Sequence, residues 1–69
     1  MEFKENVYAE WPEWNSIEFK GKWIKMEVKS ADSSGDVEIS ITEDGDEKFV
    51  FLNQENLKHL ITHLQKQLK

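Results

Sequence analysis

A change of hydrophobic period near residue 53 constrains this chain more than any other feature. Upstream, Ile24, Met26 and Val28, and then Val37, Ile39 and Ile41, alternate with polar or charged neighbours. Downstream, Leu57, Leu60, Ile61, Leu64 and Leu68 recur at three- and four-residue intervals. A period of two belongs to a strand with one covered and one wet face, and a period near 3.6 to a helix with one apolar stripe. The chain therefore predicts strands first and a helix last, an α+β arrangement.

Local signals sharpen the boundaries. Asn53 is a good N-cap, and Leu52 before it with Leu57 after it have the spacing of a hydrophobic staple, so the helix is predicted over roughly 54–68. Glu55 falls in its first turn and Lys66 and Lys69 in its last, as the helix dipole favours. Asp44-Gly45 is a hairpin turn signal between the Val37–Thr42 strand and a partner over about 47–52. The stretch Ser30–Asp36 reads as a polar turn between the Ile24–Lys29 strand and the next. Ile17 and Phe19 suggest a further strand, with Gly21 either a turn or a bulge, and Phe3 and Val7 a first short one. Trp11-Pro12-Glu13-Trp14 is expected to be irregular, since Pro12 disfavours helical geometry at Trp11.

The expected fold is thus an antiparallel β-meander of three to four strands with one C-terminal amphipathic helix packed on one face, residues 1–69 forming a single small α+β domain. One segment resists it. Phe49-Val50-Phe51-Leu52 is apolar on both faces, so something must cover the far side of the sheet, either the N-terminal segment with Trp11 and Trp14 or another subunit.

Length and charge remove whole classes of function. With 69 residues and no cysteine the chain has no room for a two-lobed cleft, and no disulfide, thiolate nucleophile or thiolate metal site. The net charge of -5 disfavours general attraction to nucleic acid or anionic lipid. All nine bases are lysine, so the bidentate contacts that arginine makes to guanine, phosphate and carboxylate are missing. No apolar run is long enough to span a membrane, and Met1–Glu5 does not read as a signal peptide, so a cytoplasmic location is expected.

The charge is patterned. Residues 31–47 hold Asp32, Asp36, Glu38, Glu43, Asp44, Asp46 and Glu47 and no base. They form either a solvated, solubilising surface or a patch that docks on a basic partner. The exposed-aromatic counterpart is Trp11 with Trp14, beside a proline in an acidic stretch, candidate interface anchors if the core does not claim them. Lys20, Lys22, Lys25 and Lys29 interleave with Phe19 and Trp23, the mixture on which single-stranded bases stack, or alternatively lysines guarding a strand edge around a core tryptophan. His59 and His63 are four apart on a helix but fall away from its apolar stripe, and no Glu-x-x-His accompanies them, so no metal site is assigned. An EF-hand register starting at Asp32 fails because Val37 stands where the loop needs glycine. Neither a phosphate-binding glycine loop nor a nucleophile elbow occurs, and no catalytic residue or cofactor is expected.

These observations favour a small acidic, non-enzymatic protein-binding module, an inhibitor, adaptor or accessory protein acting by stoichiometric contact through Trp11, Trp14 and the acids of 31–47. Its size and composition resemble those of small accessory proteins of bacteriophages and mobile elements, a general likeness that no motif carries. The alternatives are a single-stranded nucleic-acid binder using Lys20–Lys29, and a structural homodimer closing the sheet through Phe49–Leu52.

Overall fold

The computed structural model describes residues 1–69 and contains five strands and one α-helix. They are β1 (Glu2–Asn6), β2 (Ser16–Lys20), β3 (Ile24–Lys29), β4 (Val37–Glu43), β5 (Asp46–Leu52) and α1 (Gln54–Gln65), with a 3-10 turn at Pro12–Trp14. The strands form one sheet in chain order, every neighbour antiparallel. The meander has five strands and not three to four, because residues 2–6 and 16–20 are separate strands that pair with Phe3 opposite Phe19 and Glu5 opposite Ile17. Polar residues dominate β1 on both faces, so its period is faint in the sequence.

Turn chemistry sets the register. Asp44 at φ 50° and Gly45 at φ 84° make the two-residue turn whose twist matches antiparallel strands. Gly21 lies in a turn, its N–H donating to the Ile24 carbonyl at 2.7 Å, so β2 and β3 are distinct strands. In the β3–β4 loop the Asp32 carboxylate accepts from the backbone N–H groups of Ser34 (2.9 Å) and Asp36 (3.0 Å), and Gly35 takes φ 84°. The Gly35 carbonyl then accepts from the Gln54 side-chain amide, tying this loop to the start of α1.

Pairing divides the side chains between two faces. One is apolar, with two cross-sheet rows: Phe3, Phe19, Met26, Ile41 and Lys48, then Glu5, Ile17, Val28, Ile39 and Val50. The other is polar apart from Phe49 and Phe51. The doubly apolar β5 segment is thus split, two phenylalanines to one side and Val50 and Leu52 to the other.

The helix does not blanket a face. Its main neighbour is β5, and none of its residues is buried. Leu57 and Leu60 are half-covered, whereas Ile61, Leu64 and Leu68 are exposed. The only buried apolar residue in the chain is Val37, 6% exposed, where β4 meets the end of β5. Trp11 and Trp14 do not cover β5 either: they stack on each other and stay exposed, as do Phe49 and Phe51. The total accessible surface is 5917 Å². A compact monomer of this mass exposes about 4,500 Å².

Candidate functional site

The β3–β4 loop, β5 and the 3-10 turn meet at one end of the sheet around an open depression of about 680 Å³. Glu13, Asp32, Asp36 and Glu38 lie on it with Phe51, and Lys29 is its only base. Three acids predicted for partner contact are therefore brought together, joined by Glu13, which the sequence did not single out. Pro12 at the start of the 3-10 turn presents Glu13, and the same turn holds Trp11 and Trp14 with rings 5.3 Å apart and nearly parallel. Tyr8 meets Trp14 edge-on at 6.1 Å. This aromatic group is anchored by Asn15, whose side-chain oxygen accepts from the Tyr8 N–H at 2.6 Å.

The four carboxylates differ in availability. Asp32 is committed to the loop N–H groups, and Glu38 pairs with the Lys29 ammonium, which reaches it across β3 and β4. Hydrogen bonding to Glu38 holds the Lys29 pKa above its ordinary 10.5, the charges of Glu38, Glu27 and Glu47 adding to the effect and desolvation opposing it. Since the folded-state pKa is raised, this stabilisation is complete below 10.5 and disappears as pH climbs through the raised value. Glu13 and Asp36 make no side-chain hydrogen bond or ion pair within the chain. The end can accept a cation chiefly through these two.

The remaining predicted acids lie elsewhere. Glu43, Asp44 and Asp46 gather at the β4–β5 hairpin with Ile41 and Lys48, and Glu47 faces Thr42 on the polar side. Seven residues of β4 separate the two acidic groups by about 20 Å. At that same hairpin end Lys20, Lys22 and Lys25 surround Trp23 in a depression that Asp44 also lines. Trp23 is 67% exposed and no part of a core, and the Lys22 ammonium sits 5.4 Å from its ring centre. Lys29 is at the opposite end of β3 from this group.

A polar network that the sequence did not reveal crosses the polar face, the face that also carries Lys29, Glu38 and Phe51. The Asn6 amide donates to Ser16 Oγ (3.1 Å) and Glu18 Oε1 (2.9 Å), and Ser16 Oγ donates to Glu27 Oε2 (2.8 Å). The Asn6 bond lowers the Glu18 pKa below its ordinary 4.5, against desolvation and with help from Lys25, Lys4 and Lys20. Ser16 and Ser40 are, with Val37, the best covered residues of the chain, because a short hydroxyl between long neighbours on a pleated face is hidden by them. No three His, Asp or Glu side chains converge as a metal site would require, and His59 and His63 are exposed. No helix is long and apolar enough to cross a membrane.

No family model matches the chain, no curated protein is significantly similar to it in sequence, and no solved structure is significantly similar to it in fold.

Proposed function

We propose that the chain is a non-catalytic protein-binding module that works by stoichiometric contact, with the acidic and aromatic end of the sheet as its contact surface. The observation that carries this reading is the gathering of Glu13, Asp32, Asp36 and Glu38 around Phe51, beside the exposed Trp11–Trp14 stack. Flat aromatic area supplies contact at small entropic cost, and carboxylates at its rim select a basic segment and speed encounter. Unpaired Glu13 and Asp36 are the acids on which affinity depends most. An inhibitor, adaptor or accessory subunit would use such a surface, inside a cell rather than in a membrane.

Capture of partners from the native host, identified by mass spectrometry, tests the reading. The expected partner presents clustered Lys or Arg, its binding weakens with added salt, and the double change Glu13→Lys with Asp36→Lys lowers affinity by about tenfold or more. Partners that bind the doubly substituted protein as tightly as the unmodified one overturn it.

The exposed Trp23 among Lys20, Lys22 and Lys25 favours a second reading, stacking of single-stranded nucleic acid on the hairpin end. Asp44 in the same depression and the neighbouring Glu43 and Asp46 oppose phosphate there. Quenching of tryptophan fluorescence by an oligonucleotide at low salt, abolished by Trp23→Ala, would support this second reading over the first.

A further inference from the structure

We infer that the apolar face of the sheet is covered by a second copy of this chain, the two sheets packing face to face about a two-fold axis that lays β1 of one protomer over β5 of its partner.

Area argues for a large permanent cover. The surface of 5917 Å² exceeds that of a compact monomer of this mass by about 1,400 Å². A standard interface takes only about 800 Å² from each partner, so the surplus suits the larger, apolar interfaces of obligate dimers. Residues at both margins of this face stay half-open to solvent, Phe3 at 55% and Val50 at 57% exposure, and so does Ile41 nearer its centre, at 43%. The main neighbour of α1 is β5 alone, and the helix leaves Phe3, Ile41 and Val50 exposed.

Charge argues for a second copy and fixes its direction. The two cross-sheet rows carry two charged residues, Glu5 at the β1 edge and Lys48 at the β5 edge, and the shorter row beyond Lys48 at the hairpin end adds Glu43 and Asp46 to the same face. Face-to-face sheets lie about 10 Å apart with strands near alignment, and a two-fold axis along or across the strands can relate them. An axis across the strands sets β1 on β1 and brings Glu5 to Glu5 and Lys48 to Lys48. An axis along the strands sets β1 on β5, so that each Glu5 faces the row next to the partner's Lys48, within reach of that long side chain, and the pair forms twice. Only the second arrangement pairs opposite charges at both margins while the phenylalanine and β-branched residues between them pack. The dimer is a ten-stranded sandwich whose outer faces carry the polar networks and leave the acidic, aromatic end free, so this inference stands apart from the proposed contact surface.

Light scattering on the eluting full chain, with circular dichroism as the check on strand content, tests it. The expected mass is twice the 8.2 kDa of one chain. Ile41→Lys, at a position open to solvent in the single chain, is expected to give the single-chain mass. Glu5→Lys or Lys48→Glu alone should weaken the dimer by about tenfold, because two pairs are lost together, and the double reversal should restore it. A strand-rich wild-type chain of single mass overturns the inference, as does a dimer indifferent to Ile41→Lys, which would place the contact on a strand edge. Single reversals without rescue by the double overturn the β1-on-β5 alignment.

Discussion

Asn6 shows how one side chain can hold several others. Its amide gives both protons away, to Ser16 and to Glu18, and the carboxylate so engaged keeps its pKa below 4.5. A depressed carboxylate stabilises the fold fully above its ordinary pKa and loses that effect as pH falls through the folded value. Asn6→Ala is expected to return the Glu18 titration upward toward 4.5, read by carbon-detected NMR. Two further positions depend on backbone geometry. Asn53 Oδ1 accepts from the Asn56 N–H at 2.8 Å, and Asn53→Ala should cost about 1 kcal/mol in denaturant unfolding. Gly45 at φ 84° has open space where a methyl group would stand, so Gly45→Ala should also cost about 1 kcal/mol, through the dihedral alone and not through a clash. Asn53 and Gly45 were readable from sequence because caps and tight turns are chosen by adjacent residues. Asn6 was not, because its partners are ten and twelve residues away.

At the scale of elements, the hairpin and the helix were legible for the same local reasons, and the placement of the helix was not. The apolar stripe of α1 promises a helix lying across the sheet, yet only Leu57 and Leu60 gain partial cover and the helix runs 12 residues. A helix this short is marginal by itself, and it is tied to the sheet by its contacts with β5 and by the Gln54 hydrogen bond to Gly35. Amide hydrogens of α1 are therefore expected to exchange well before those of β3 and β4, which are paired on both sides; native-state hydrogen exchange by NMR would read this order. The acidic run divides for a related reason. A strand of seven residues lies inside it, and an extended strand carries its two ends far apart. Composition merges what geometry separates.

For the molecule as a whole the decisive quantity is uncovered apolar area. A 69-residue chain must enlist nearly all its large apolar residues to offset the entropy of ordering, and here a single one, Val37, is buried. Association of two such faces, as inferred above, would contribute what an internal core does not. The melting temperature should rise with protein concentration, as it does when folding is linked to assembly, and scanning calorimetry over a concentration series would register the shift. A melting temperature independent of concentration would mean that the single sheet with its corner helix suffices. Added salt should act differently on the two proposed contacts, weakening the basic partner at the acidic end while leaving the apolar dimer nearly intact.

By itself the amino-acid sequence determined the class of each element, the Asp44-Gly45 turn, the Asn53 cap and the existence of an acidic block, because each rests on neighbours within a few residues. It also marked Phe49–Leu52 as needing cover on both sides. Tertiary structure decided the rest: which acids share a surface, that Trp23 stands in solvent, that a network runs from Asn6 through Ser16 to Glu27, and that the helix leaves the apolar face open. Those depend on pairing between residues distant along the chain, and a pattern read in one dimension carries the period of a face without saying what will lie upon it.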